Sequence, residues 1–337
     1  MTGTNTIATL GSHSSLQIMK GAKDEGFSTL LVTKSDRAWF YRQFAFIDEV
    51  IEVPSFDTFD EVETQLIEKN AILIPHGSFV AYLGMEKNKK MQVPYYGNKT
   101  VLDWESNRER QWQWFEKAGI RTPRHFSSAE EIDRPVIVKL HGAAGGRGYF
   151  YANNRVEFER KITEYNFKVN EYIIQEYIVG VPVYVHYFYS PIDNRIEIMS
   201  VDRRYETNVD SLGRIPPQDQ LSLYIEPSYV VIGNSPLVLR ESMLPEAQRM
   251  GEKMVSASKE LMDERGLYGP FCMETIVTEE QQFYTIEVSC RIVAGTNLYT
   301  EGSPYSWLYF NEPMSTGRRI AREIKTAIRD DRLNEII

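Results

Sequence analysis

Short apolar runs alternate with amphipathic stretches along the N-terminal third of the chain. The apolar runs fall at 6–10, 29–32, 49–53 and 71–74, and helical spacing of apolar positions fills 15–25 and 58–69. Strands and helices taking turns predict a parallel sheet with helical crossovers. Ligands in such sheets bind beyond the C-terminal strand ends. Two of those ends carry similar residues, Gly11-Ser12-His13-Ser14-Ser15 and Pro75-His76-Gly77-Ser78, so both can converge on one pocket. The first loop is not G-x-G-x-x-G, which excludes the dinucleotide fingerprint. Its glycine, hydroxyls and helix N-terminal amides still suit an anion. His13 fits a ligand role there as well as it fits capping or packing.

The pattern changes character near 99–105. A helix over 108–118 carries Trp112, Trp114 and Phe115, best explained as core. A strand over 135–140 leads into His141-Gly142-Ala143-Ala144-Gly145-Gly146-Arg147-Gly148, and Tyr149 resumes a strand. Glycines at that density bare backbone amides, as a phosphate cradle needs. This is not a P-loop, because G-x-x-x-x-G-K-[ST] is absent. The segment predicts a lid over a nucleotide, with Lys139 reaching its phosphates; an ordinary mobile hairpin is the competing explanation. A helix over 154–165, a strand over 172–179, and alternating strands over 181–189 and 195–203 follow. A polar loop over 211–222, a long helix over 245–265 and a closing helix over 317–328 complete the chain.

Between the last two helices, residues 271–291 predict a β-hairpin. Folded about the Glu280–Gln281 bond, it sets Glu274 opposite Glu287 and Cys272 opposite Ser289. Met273, Thr275 and Val277 then form an apolar face with Tyr284, Ile286 and Val288. Opposed carboxylates repel by roughly 0.2–1 kcal/mol, which a shared proton or a cation relieves. A solvated charged face would explain the two acids as well. Ser289 and Arg291 on the same side favour a magnesium–phosphate site.

Composition narrows the function. With 337 residues, 42% hydrophobic and 25% charged, the chain can build two or three cores. The net charge of −9 comes without a basic block, which argues against nucleic-acid binding. No signal-peptide pattern and no membrane-length apolar run is present, so a cytoplasmic protein without membrane contact is expected. Two cysteines are too few for a zinc site or a disulfide framework. Reduced thiols are expected, although the hairpin would place them close enough to pair.

The order of a Lys-bearing strand, a Gly-rich hairpin, a strand carrying Gln175-Glu176-Tyr177-Ile178 and a two-acid hairpin ending in Arg resembles the ATP-grasp superfamily. Ala118-Gly119-Ile120-Arg121-Thr122-Pro123 also matches its pattern. The resemblance implies an α/β architecture in which an ATP-grasp fold follows a small Rossmann-like parallel-sheet domain. The expected units are 1–104, 105–190 with the lid, and 191–337 with the metal hairpin. The resemblance also implies that Lys139, Gly142, Gly145, Gly146, Arg147 and Gly148 hold ATP phosphates. Glu176, Tyr177 and Ile178 would lie beside adenine and ribose. Glu274 and Glu287 would hold Mg2+, with Mn2+ as a substitute, and Arg291 would stabilise the transferred phosphoryl group. Two departures stand out: Glu287-Val288-Ser289 replaces the frequent Glu-x-Asn, and the helix near Arg108 lacks the usual initial lysine.

A narrower resemblance spans nearly the whole chain. Residues 7–15, 74–79 and 141–149 are similar to the archaeal formate-dependent 5-formaminoimidazole-4-carboxamide ribonucleotide synthetases of purine biosynthesis. It implies ATP-dependent joining of formate to the amine of aminoimidazole carboxamide ribonucleotide (AICAR). His13, Ser78 and Asn234 would contact the ribonucleotide, His13 would also serve the reaction, and Glu206 would join the ATP site. A homo-oligomer is expected. The alternatives are an ATP-grasp ligase for another acid or amine, and a non-catalytic purine-nucleotide-binding protein.

Overall fold

In the computed structural model, which describes residues 5–140, 149–166, 168, 172–206, 211–220 and 230–337, the first unit is built on four parallel strands. These are β1 (Thr6–Leu10), β2 (Ser28–Lys34), β3 (Glu49–Val53) and β4 (Ala71–Leu73), in the order β3-β2-β1-β4. The strand order reverses at β1. The loops leaving β1 and β4 therefore open side by side at the switch point, where such sheets bind ligands. Ile7, Leu31 and Ile72 face one core, and Ala8, Leu10, Leu30 and Val32 face another. Burial on both faces accounts for the continuous apolar runs of these strands.

A second sheet is antiparallel, in the order β5-β8-β6-β7: β5 (His125–Phe126), β6 (Val136–Leu140), β7 (Tyr149–Ala152) and β8 (Tyr172–Glu176). The helix Arg155–Glu164 buries Phe158 against Phe150 and Val138. The Gly-rich segment 141–148, with Gly142, Gly145, Gly146, Arg147 and Gly148, lies outside the described residues.

The third sheet has the order β11-β10-β9-β12-β13. Its strands are β9 (Val181–Ser190), β10 (Arg195–Glu206), β11 (Val231–Pro236), β12 (Gly269–Val277) and β13 (Phe283–Ser289). β9 pairs with β10 and β12, so the change from second to third sheet falls between Glu176 and Val181. The helix Leu244–Leu261 lies on this sheet, and Gly251 lets it approach Tyr187 and Ile196. Trp114, on the helix Arg108–Lys117, is fully buried and donates Nε1–H to the Met254 carbonyl at 2.9 Å. The indole thus keeps a polar partner while its ring fills the core.

The closing helix Thr316–Arg329 docks on the helix Ser15–Asp24. A Cβ at Gly21 would stand 2.2 Å from the Arg318 backbone nitrogen, and one at Gly317 would stand 2.3 Å from the Gln17 carbonyl oxygen. Only glycine permits that approach. Among the described residues no helix is long and apolar enough to cross a membrane.

The hairpin register is as the sequence suggests near the acids and differs near the turn. Glu274 pairs with Glu287, Cys272 with Ser289 and Met273 with Val288. Thr275, however, pairs with Thr285 rather than Ile286, and Val277 pairs with Phe283. The turn spans 278–282, with Gln281 at φ 61°, and its odd length displaces the register by one residue. An irregularity at Ile286 restores it, so the carboxylates still meet.

Candidate active site

Glu274 is buried on β12, and its carboxylate pairs with Arg204 of β10. The Arg204 guanidinium lies over the Tyr184 ring, 4.0 Å from its centroid. Glu287 stands across the ladder with access to solvent. Burial first, then the charges of Glu274 and Glu105, raise the Glu287 carboxyl to about 7. The side chain also reaches solvent, so the like charges of Glu274 and Glu105 favour the protonated form there, and a cation would reverse their effect. The two acids therefore suit a hard divalent ion. Among the described residues no group of three or more His, Cys, Asp and Glu forms a site by itself. Magnesium takes one or two carboxylates and completes its shell with phosphate and water.

The loops after β1 and β4 form the facing wall. The His13 and His76 rings are parallel, with centroids 5.7 Å apart. His76 is fully buried; Nε2 donates to the Leu10 carbonyl at 3.0 Å, and Nδ1 accepts from the Ser78 amide at 3.2 Å. This fixes a neutral tautomer, and burial, aided by His13, depresses the His76 pKa to about 3. His76 thus ties the two loops together and presents Ser78, which precedes the helix Phe79–Leu83. His13 adopts φ 51° and lies against Gly77, where a Cβ would come within 2.4 Å of its ring. Burial, then Arg291 and Arg204, lower its pKa to about 4, so the imidazole is neutral at pH 7. The residue is nevertheless exposed to solvent on its open side.

Arg291 joins the hairpin to this wall. Its Nη1 pairs with Glu105 at 2.5 Å, and its Nη2 donates to the Gly77 carbonyl at 3.0 Å. Glu105 ends the helix Lys99–Glu105 and also accepts from the Cys290 amide at 2.7 Å. Both cysteines are free thiols. Asn297 donates to the His13 carbonyl at 3.0 Å, a second tie between the two halves of the cleft.

Lys139, on β6, supplies the third wall. Its ammonium donates to Gln175 Oε1 at 2.8 Å, and Gln175 Nε2 donates to His125 Nε2 at 3.0 Å. His125 lies 3.8 Å from the Trp112 ring, centroid to centroid. Burial, then Arg108, lower the Lys139 pKa to about 8, while Glu287 and Glu274 pull it up. Glu287 and Glu274 thus act on Lys139, Glu274 acts on Arg204, and Arg291 and Arg204 act on His13.

Glu176 accepts from Arg134 at 2.9 Å and from the Arg124 amide at 3.1 Å. Tyr177 is exposed and meets Tyr151 edge-on, and Ile178 is half-buried after β8. Glu206 ends β10 on the Arg204 face, its carboxyl raised by burial against the pull of Arg204 and Arg203. Asn234 of β11 pairs across the ladder with Arg204 and donates to Asp202 at 2.6 Å. Arg204, Glu105, Gln175 and Asp202 join the site without having been expected there, whereas His76 lies in the β4 loop expected to converge on the pocket. The Asp202-Arg203-Arg204 run and Gln175 were visible signals; Glu105 gave none. Two cavities, of about 230 Å³ beside Arg121 and Lys253 and about 450 Å³ beside His125 and Ser128, are not lined by the opposed acids.

Residues 151–337 match the family model described as a domain of unknown function (DUF1297), and residues 7–126 match a protein of unknown function (DUF1246). A Pyrococcus horikoshii protein called 5-formaminoimidazole-4-carboxamide-1-(beta)-D-ribofuranosyl 5'-monophosphate synthetase is 52% identical, covering 98% of this chain and 99% of the relative. A protein of the same name from Methanococcus maripaludis is 45% identical, covering 98% and 94%. Among solved structures, an IMP biosynthesis protein from Thermococcus kodakaraensis superposes with a TM-score of 0.79 at 33% identity, covering 98% and 99%. The ADP complex of an N5-carboxyaminoimidazole ribonucleotide synthetase gives 0.68 at 14% identity, covering 95% and 76%, a likeness of fold alone. The chain has the ATP-grasp fold and belongs to the family of 5-formaminoimidazole-4-carboxamide ribonucleotide synthetases.

Proposed function

We propose that the protein uses ATP and magnesium to join formate to the amine of AICAR, releasing ADP and phosphate. The observation that carries this reading is the opposed Glu274–Glu287 pair, set beside Arg204, Arg291 and Lys139 in a chain about half identical to synthetases of that name. The expected division of the chain into three units at 104/105 and 190/191 belongs to the same proposal with one correction: β9 pairs with β10 and β12, so the second unit ends between Glu176 and Val181 rather than at 190.

Formate is a weak electrophile because its charged oxygen is a poor leaving group. In the first step a formate oxygen attacks the γ-phosphorus of ATP and the bond to the β-phosphate oxygen breaks, giving ADP and formyl phosphate. In the second step the amine nitrogen attacks the formyl carbon. The C–O bond to phosphate breaks and the nitrogen loses one proton. A bound magnesium would neutralise charge on the transferring phosphoryl group.

The chain's own groups then have distinct tasks. Lys139 and the loop residues Gly142, Gly145, Gly146, Arg147 and Gly148 hold phosphates. Glu176, Tyr177, Ile178 and Glu206 line the nucleoside side. Glu274 and Glu287 hold the metal. Arg291, fixed by Glu105 and Gly77, presents an oriented positive charge to the phosphoryl group. His13, Ser78 and Asn234 contact the ribonucleotide. A neutral His13 orients formate or substrate by hydrogen bonding rather than as a cation. Formyl phosphate hydrolyses in water, so the cleft has to exclude water during turnover. We further read the protein as a homo-oligomer of the cytoplasm.

The test is phosphate release from ATP with magnesium, AICAR and formate, each omitted in turn, with the formylated ribonucleotide followed by mass. Release and product that both require formate and AICAR support the reading. Turnover with a different acid or amine would leave the fold argument standing and end the substrate assignment.

A further inference from the structure

Asp202 lies within β10 and is 1% exposed. One carboxylate oxygen accepts from His186 Nε2 at 2.6 Å, and the other accepts from the Asn234 side-chain amide at 2.6 Å. His186 is also buried, and its Nδ1 has no partner among the described residues. Gly295 closes over the pair. A Cβ there would stand 2.3 Å from Asp202 Oδ1 and 2.7 Å from His186 Nε2, so backbone seals the dyad from water.

This arrangement is a poor device for stability alone. A buried carboxylate–imidazole pair seldom outperforms apolar residues of similar volume, and the bare Nδ1 adds a cost. It does dictate the orientation of one side chain. An ionised carboxylate only accepts hydrogen bonds, so Asp202 can hold Asn234 only by its NH2 group. The Asn234 oxygen is turned the other way, and no described residue donates to it. Asn234 sits directly opposite Arg204 on the sheet face that carries Glu274. Its free acceptor therefore belongs to the cleft.

We propose that Asp202, held by His186, is a positioning residue that locks the Asn234 amide with its oxygen toward the cleft, so that the site selects a substrate group that donates a hydrogen bond. An N–H of the amine or carboxamide of an aminoimidazole ribonucleotide is such a group. A ligand presenting only acceptors there would face the Asn234 oxygen and lose the contact. The proposal rests on the reading of Asn234 as a ribonucleotide contact.

The test is a double-mutant cycle on the KM for AICAR, with the KM for ATP measured in parallel. Asp202→Asn can donate to Asn234, which frees the amide to turn over. It is expected to raise the KM for AICAR by about tenfold and to leave the KM for ATP unchanged. Added to Asn234→Ala, it is expected to raise the KM for AICAR no further, because it acts through the missing side chain. If Asp202→Asn does not fold, Asp202→Ser, which removes the acceptor-only carboxylate, is taken through the same cycle with the same expectation. Effects that add in full in the double mutant, or a rise in both KM values, would show a merely structural pair and overturn the proposal while Asn234 keeps its role. An unchanged KM in Asn234→Ala would overturn the reading of Asn234, and the proposal with it.

Discussion

Arg291 donates from Nη2 to the carbonyl oxygen of Gly77, 214 residues away in sequence, at 3.0 Å. One guanidinium thus links the acidic hairpin to the loop that carries His76 and Ser78. Its other arm pairs with Glu105. Lysine has the charge but not the fork that serves both partners. Arg291→Lys is expected to lower kcat by about 10²-fold. Glu105→Gln, which keeps an acceptor for the Cys290 amide but loses the ion pair, should lower kcat by a smaller factor. Steady-state kinetics with a circular-dichroism check of folding measures both.

Glu274→Gln and Glu287→Gln should each cut turnover by about 10²-fold or more, with the protein still folded. Each substitution would remove one negative oxygen from the proposed metal site and relieve the repulsion across the hairpin. Chelation of magnesium should abolish turnover of the unsubstituted enzyme and restoring it should recover activity. Full activity in either variant, measured over a magnesium titration, would remove the hairpin from the mechanism.

Lys139 gives a pH signature. Burial, then Arg108, hold its ammonium down to about 8. The charged form predominates below that value and is lost as pH rises through it. kcat/KM for ATP should therefore decline on the alkaline side, by about tenfold for each further pH unit. Lys139→Arg, whose charge persists, should remove that limb. A profile flat to pH 10 would contradict the assignment.

The junction of the first and last helices gives a stability prediction. Gly21→Ala places a methyl 2.2 Å from the Arg318 nitrogen and should cost about 1–3 kcal/mol. Burial alone would raise the nearby Glu25 carboxyl, but hydrogen bonds from Arg322 and Arg318 hold it below its usual value. Its contribution is complete above the unfolded pKa and is lost as pH falls through the folded one. Thermal unfolding from pH 7 down to pH 3 should show that loss, and Glu25→Gln should weaken it.

Much of the architecture was legible because it rests on local pattern. The β1 and β4 loops follow from strand–helix alternation, and the acid pair follows from hairpin symmetry. The symmetry succeeded through compensation, since the odd turn and the irregularity at Ile286 cancel at Glu274. The helices Ser35–Tyr41, Phe79–Leu83 and Lys99–Glu105 escaped because they are too short for a period to declare itself. Arg204 and Glu105 gained their places only when strands and helices distant in sequence packed together. Their partners are Glu274 and Arg291, 70 and 186 positions away, and no local spacing encodes such a pair.

Activation of a carboxylate by phosphorylation before the amine attacks leaves its trace in the oxygen atoms of the products. Turnover with formate labelled with oxygen-18, followed by mass analysis of the released phosphate, tests it most directly. One labelled oxygen is expected in each phosphate, carried over when the C–O bond of formyl phosphate breaks, and the other in the formyl group. Unlabelled phosphate formed alongside the formylated ribonucleotide would contradict it.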